Sequence, residues 1–312
     1  MISLFNIPNY VINTSVFSNK INDNCVGEFE HKFASYVGAK YACGISSATN
    51  AIFLTFLNKK QEISVPSMIP PVVINSLVNA GNKIRFKDDV SWVGDSYILH
   101  KFKNYKVIDS AQKVSKDQFL KEANDEDLMI FSFYPTKPVG SLDGGMIVSN
   151  DKNKIDWFKK AVMNGMGYEK NSWDRKVYFP GWKMYLSSYQ AFIANKNLDK
   201  LMGKQKRLSD IRNKYNNELC YSNTSDHLYR INVKERINFI QNLKINKIST
   251  GIHYSASHKI DAYKEYLVGE PHMPITESEE LTTVSIPFHE NLTNDEVTYI
   301  IKCCKETGKL CK

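Results

Sequence analysis

Hydrophobic positions recur along this chain with two periods, and the switches between them mark out its elements. Residues 28–37, EFEHKFASYV, place Phe29, Phe33, Tyr36 and Val37 on one face at helical spacing, and Gly38 stops the run. The following YACGIS is short, apolar and strand-like. A turn of small residues, SSATN, then leads into AIFLTFLN, a buried helix. ISVPS reads as a strand with a proline stop, VVINSLVNAG as a helix closed by glycine, and KIRFKD as another strand. KVIDSA and DLMIFSF add apolar segments, and MIVSN starts a further one beyond a glycine-rich turn. Strands alternating with helices predict an α/β sheet covered on both faces. Strand order is not contained in the pattern.

Further along, WFKKAVMNG and the long basic stretch from Tyr185 to Cys220 both carry helical periods, and the second has the length to bridge two domains. Beyond it come HLYRINV as a strand, ERINFIQNLKINK as a helix, then ISTGIHY and LTTVSIPFHE, and a terminal helix from Asn294 whose LTNDEV start carries a capping signal. These segments predict a large α/β domain over residues 1–204 and a smaller α+β domain over residues 205–312. No internal repeat or low-complexity tract interrupts them.

Composition narrows the class. A chain of 312 residues with 42% hydrophobic and 12% aromatic residues can bury a sizeable core, which excludes disorder. No apolar run reaches the length of a membrane span, and the first residues, MISLFNIPNYVINTSVF, lack the basic segment and apolar block of a secretion signal, so a cytoplasmic location is expected. The formal charge of +8 favours an anionic partner. Its lysines are dispersed without interleaved aromatics, which argues against nucleic acid and leaves a phosphate ester or nucleotide. The cysteines at 25, 43, 220, 303, 304 and 311 form no CxxC pair and read as thiols. No HExxH, GxSxG, GxxxxGK or GxGxxG pattern occurs, so metal, serine-hydrolase, P-loop and Rossmann chemistries have no support.

Three segments could carry chemistry. In SSATN the hydroxyls of Ser46, Ser47 and Thr49, with the free amides of a helix start, form a candidate phosphate cradle, although the same residues cap helices without a ligand. In VIDSAQ, Asp109 directly follows an apolar strand, with Gln112 three positions on. A carboxylate there could keep a heterocyclic nitrogen protonated, or could cap the next turn. In FSFYPTKPVGSLDGG, Lys137 sits on a turn-rich loop between two apolar segments, where it is either a solvated cation or an amine able to form a Schiff base. Phosphate cradle, strand-end aspartate and loop lysine, in that order, are the three contacts that pyridoxal phosphate (PLP) asks for.

These stretches resemble the DegT/StrS group of PLP-dependent sugar-nucleotide aminotransferases, within the fold type I superfamily. FEHKFASYVGAKYACGISSATNAIFLTFL is similar to that family's entry helix, strand and phosphate turn, KVIDSAQ to its acidic strand end, and FSFYPTKPVGSLDGG to its lysine loop, with Gly145 eight residues after Lys137. GWKMYLSSYQAFIANKNLDKL, GIHYSASHKIDAYK and SIPFHENLTNDEV continue the likeness. The resemblance implies a mostly parallel sheet flanked by helices and a homodimer with a shared active site. It implies that Lys137 joins the cofactor aldehyde and then moves the proton. Asp109 would hold the ring nitrogen, Gln112 would approach the ring oxygen, and Ala48, Thr49 and Ser132 would hold the phosphate. Substrates would be a nucleoside-diphosphate keto sugar and an amino donor, by the same likeness glutamate, with the product entering polysaccharide synthesis.

The chain also departs from the family. Pro70 stands where an aromatic residue or histidine stacks on the cofactor ring, and Ala48 replaces a glycine. Lys183 stands where an asparagine reaches the neighbouring subunit's phosphate, and Tyr185 replaces an arginine. The span from Phe86 to Asp109 is too short for a strand and a crossover helix, so one strand–helix unit is expected to be reduced or absent. His253 and His258 are candidates for substrate contact, with loop support as the alternative reading. A catalytically impaired paralogue that binds a sugar nucleotide or a partner subunit is the competing account of the whole.

Overall fold

The computed structural model describes residues 1–312 apart from 14, 16, 18–23, 169–173 and 308–312; Cys311 therefore lies outside the described residues. The first helix, α1 (Asn24–Val37), buries Val26, Phe29, Phe33, Ala34 and Val37 along one stripe, the face that the sequence pattern predicts. It is followed by β1 (Tyr41–Ile45), α2 (Ala48–Phe56), β2 (Glu62–Pro66), α3 (Pro71–Asn79) and β3 (Lys83–Lys87). Next come β4 (Tyr97–Lys101), β5 (Lys106–Asp109), the short α4 (Gln118–Glu122), β6 (Leu128–Ser132) and β7 (Gly145–Ser149). Helix α5 (Lys152–Ala161) leads to a hairpin of β8 (Met166–Tyr168) and β9 (Arg175–Val177), then to the long α6 (Ser188–Leu219). The C-terminal part holds β10 (Tyr229–Asn232), α7 (Arg236–Ile245), α8 (Pro274–Thr282), β11 (Thr283–Ile286) and α9 (Asn294–Thr307).

Caps explain several boundaries. Ser187 and Gln190 form a reciprocal capping box at the start of α6, and Thr293 with Glu296 does the same before α9. Helix α2 opens earlier than its apolar run, at Ala48, because Ser47 accepts the Asn50 N–H and so ends the turn within SSATN.

The main sheet has the order β1-β7-β6-β5-β4, with β2 and β3 forming a parallel pair beside β4. Its α/β class is as expected, but its polarity is mixed rather than mostly parallel. Only β5 and β6 pair in parallel within the five strands; β1 with β7, β7 with β6, and β4 with β5 are antiparallel. The physical reason for β4 is the length of its connection. Phe102 N–H donates to the Tyr105 carbonyl at 2.8 Å, and so tight a turn can only reverse the chain. Of the strand–helix unit expected to shrink, the strand survives and runs backwards, while no helix lies between Lys101 and Lys106.

Every residue of β6 and β7 is buried, as a sheet covered on both faces requires. Successive residues divide between two cores: Ile130 and Ile147 pack with α2 and α3, whereas Met129, Phe131, Met146 and Val148 pack with α1 and α6. In the second core Phe33 meets Phe131 at 4.9 Å and Phe133 at 5.2 Å, edge to face, and each buried ring contributes roughly 1.5–3 kcal/mol. A third cluster joins Leu208 and Tyr215 of α6 to Tyr229, Ile231, Val284 and Ile300. No described helix is long and apolar enough to cross a membrane.

Candidate active site

Strands β1, β5 and β6 run in one direction, so their C-terminal ends share one edge of the sheet, where ligands bind in sheets of this kind. Asp109 ends β5, Ser132 ends β6, and the turn after β1 starts α2. The antiparallel strands bring their first residues to the same edge: Gly145 lies opposite both Ile45 and Ser132, and Tyr97 lies opposite Asp109. A cavity of about 710 Å³ opens there. It is lined by Ala48, Thr49, Pro70, Asp109, Gln112, Ser132, Lys137 and His253, all of them residues singled out from sequence.

At one end is the start of α2. Ser47 caps the Asn50 N–H at 3.1 Å, which leaves the amides of Ala48 and Thr49 at the helix start without an intrahelical partner. Gly145 lets that helix end approach the sheet: a Cβ at this position would stand 2.7 Å from Ala48 N. The Ser132 hydroxyl accepts the Tyr134 N–H at 3.3 Å and keeps its own proton to donate.

Lys137 reaches the cavity from a loop fixed by its own backbone. Phe133 N–H donates to Gly144 O, Ser141 N–H to Phe133 O, and Lys137 N–H to Tyr134 O, each at 2.8 Å. The Ser141 hydroxyl and Asn197 amide tie the loop to α6 at 2.8 and 2.6 Å. Burial lowers the Lys137 pKa to about 8, against the opposing pull of Asp109. At pH 7 that leaves about a tenth of the amines neutral, against roughly one in three thousand at the ordinary value. Lys137 Nζ lies 3.4 Å from His227 Nε2. His227 is itself held well below the usual imidazole range, first by burial and then by the Lys137 charge.

Asp109 is buried at 4% exposure and accepts the Ala111 N–H and the Tyr97 hydroxyl, each at 2.9 Å. Burial raises its pKa, and those two donors with Lys137 oppose the rise. Gln112 accepts the Gly94 N–H at 2.8 Å and donates to the Tyr254 hydroxyl at 3.0 Å. His253 bonds Ser285 at 2.8 Å and is lowered to about 4, mainly by burial.

Two expected residues do not join the cavity of a single chain. Lys183 is exposed, on a bridge to Met163. His258 contacts Ser67 at 2.6 Å and Glu277 at 3.0 Å, and so ties its loop to the end of β2 and to α8, the loop-supporting alternative. Sequence reasoning missed Phe5, Trp92, Tyr134, His227 and Tyr254 among the lining residues. Tyr254 lies within GIHYSASHKIDAYK and Tyr134 within FSFYPTKPVGSLDGG, so both stand inside the motifs themselves. Trp92 lies in the shortened span and Phe5 comes from the far N-terminus, and no local signal marks either.

Comparison with known proteins bears on this arrangement. The profile of the DegT/DnrJ/EryC1/StrS aminotransferase family matches residues 11–88 and 109–305. The chain belongs to this family. Membership agrees with the resemblance of its motifs, and the unmatched interval, 89–108, is the shortened span with its reversed strand. A UDP-4-amino-4,6-dideoxy-N-acetyl-beta-L-altrosamine transaminase of Campylobacter jejuni is 25% identical over 88% of this chain and 87% of its own length. The spore coat polysaccharide biosynthesis protein SpsC of Bacillus subtilis is 24% identical over 91% and 90%. A candidate sugar aminotransferase of Streptococcus pneumoniae in its PLP form superposes with a TM-score of 0.79 at 18% identity, covering 97% of both chains, a likeness of fold alone.

Proposed function

We propose that this protein works in the cytoplasm as a PLP-dependent aminotransferase, transferring an amino group, with glutamate as donor, to the keto carbon of a nucleoside-diphosphate sugar. The observation that carries the proposal is the half-buried Lys137, its amine pKa lowered to about 8, in one cavity with a buried carboxylate and an open helix start. That donor set fits the cofactor part by part. The amides of Ala48 and Thr49 and the hydroxyls of Thr49 and Ser132 suit a phosphate, and Asp109 suits a protonated ring nitrogen. Gln112, which lines the same cavity, suits the ring oxygen. The relatives named for UDP-sugar transamination and polysaccharide synthesis support the substrate class.

When bound, PLP supplies a conjugated ring that accepts the electron pair left on carbon as a proton departs. The chain supplies the rest. Lys137 Nζ, with a pKa near neutrality, can take a proton from carbon and return it. Its loop is already held in place, so little orientational freedom is lost at that step. Asp109 contributes a carboxyl group oriented by two donors at the site edge, and low local polarity strengthens its interactions. Trp92, Tyr254 and Pro70 contribute apolar wall to the cavity. A homodimer completes the reading, with the exposed Lys183 offered to the phosphate of a second copy.

The competing account, an impaired paralogue, rests on the shortened span and on Pro70. Lys137 sharing one cavity with Asp109 and the open start of α2 favours the catalytic reading over it. The test is the absorbance spectrum of protein purified with PLP. A visible band that borohydride bleaches, and that glutamate shifts toward the amine form of the cofactor, is expected. Absence of the band would return the chain to the non-catalytic reading.

A further inference from the structure

The hydroxyl of Tyr97 occupies one oxygen of Asp109, and the sequence motifs give no account of it. We infer that Tyr97 is a positioning residue for Asp109: its phenol fixes the carboxylate's orientation through a hydrogen bond to one oxygen, and it can do so only because β4 runs backwards. This inference rests on the function proposed above and deepens it.

Tyr97 opens β4 directly opposite Asp109, which closes β5. Had β4 run parallel to β5, its last residue would stand at that edge and Tyr97 would lie roughly 13 Å away at the other end of the strand. The tight turn over residues 102–105 makes the difference. Tyr97 donates to Oδ2 and the Ala111 N–H to Oδ1, each at 2.9 Å. Each oxygen keeps one lone pair, so the carboxylate is aimed while remaining free to accept a third donor from the cavity.

Four groups face Asp109. Ala111 belongs to its own turn, Tyr97 to β4, Lys137 to the lysine loop and Tyr254 to the C-terminal segment. Burial favours the neutral acid; Ala111, Tyr97 and Lys137 favour the charged form. Burial and the neighbouring carboxylate push the Tyr97 phenol well above its ordinary range, so it stays protonated and available as a donor.

Tyr97 is braced in turn. The Trp92 ring packs on it at 4.6 Å, and Trp92 lies parallel to Tyr254 with ring centres 6.3 Å apart. The loop carrying Trp92 is pinned by the bond from Gly94 N–H to Gln112 and by the Ser225 hydroxyl on Gly94 O at 2.9 Å. Gly94 has φ +94, and a Cβ there would meet Ser225 Oγ at 2.5 Å. All of these residues except Gln112, Ser225 and Tyr254 fall in the interval that the family profile does not match.

Tyr97→Phe keeps the ring and removes only the donor. In cofactor-free protein carrying isotope-labelled aspartate, the Asp109 carboxyl signal, assigned with Asp109→Asn, is titrated by NMR. Its midpoint is expected to rise by about one pH unit, a tenfold change in the protonation equilibrium. In protein loaded with ring-nitrogen-labelled PLP, the nitrogen signal should move toward the unprotonated value, and kcat should fall about tenfold with KM for the sugar nucleotide unchanged. An unmoved Asp109 midpoint in a variant that melts like the wild type would overturn the inference and make Tyr97 a packing residue. If the variant does not fold, a fluorinated tyrosine at position 97, a stronger donor, must lower the midpoint, and no movement overturns the inference equally. A wild type that never binds PLP would defeat the proposed function alone, because the cofactor-free titration still decides the role of Tyr97.

Discussion

The loop that carries Lys137 and the span that carries Trp92 and Tyr97 meet at one cavity but are held there by different means. Between β6 and β7 the loop is fixed mainly by its own backbone, through Phe133, Gly144, Ser141 and Tyr134, with two further ties to α6. Between β3 and β5 the span is fixed by side chains far away in sequence: Gln112 and Ser225 on Gly94, and Tyr254 beside Trp92. Local hydrogen bonding leaves a compact sequence signature and tolerates change elsewhere. Long-range bracing leaves none, and it makes the span depend on the whole fold. Chemistry therefore concentrates in the first region and stability in the second, with Tyr97 as the point where the second acts on the first.

Changes in the two regions should separate along that line. Lys137→Ala should abolish covalent attachment of PLP, read as loss of the borohydride-sensitive band and of the corresponding mass. The melting point should hold or rise, because a desolvated ammonium is removed. A large fall in melting point instead would mean that the loop depends on its lysine for stability. Asp109→Asn should keep the fold and bound cofactor yet slow transamination by about 10²–10³-fold, measured in single-turnover reactions.

The span should answer differently. Trp92→Ala removes a ring that is 6% exposed and should cost roughly 3–5 kcal/mol in urea unfolding. Gly94→Ala forces a Cβ into a left-handed position against Ser225 and should cost about 1–3 kcal/mol by the same measurement. If either variant kept full stability and lost catalysis alone, the division between the regions would fail.

The smallest effect is a pH dependence that belongs to neither region but to two histidines in the cavity wall they share. Burial lowers His253 to about 4 in the folded chain, below its unfolded value, and holds His227 well below the usual imidazole range. The unfolded chain then binds more protons between the two values, so the stabilising contribution is complete above about pH 6.5 and is lost as pH falls toward 4. His253→Gln should flatten the slope of unfolding free energy across that window.

Much of the site was legible because its parts follow elements that hydrophobic patterning predicts. Asp109 and Ser132 end apolar strands, SSATN opens a helix, and Lys137 follows an apolar run into a turn. The rest was not legible for stated reasons. Phe5 and His227 arrive from distant segments, and contact between distant segments has no local pattern. The position of Lys183 outside the single-chain cavity, and the tie of His258 to Ser67 and Glu277, depend on packing that residue type does not encode.

By itself the sequence determined most of the elements, though not β4, α4, the β8–β9 pair or α8, and with them the α/β class, the order of the chemical groups and the family, because periodicity, caps and turn residues act over a few positions. Only the tertiary structure decided the direction of β4, and with it the pairing of Tyr97 with Asp109. A strand's apolar pattern reads the same in either direction, and its polarity is set by the length of a connection and by the neighbours that accept it.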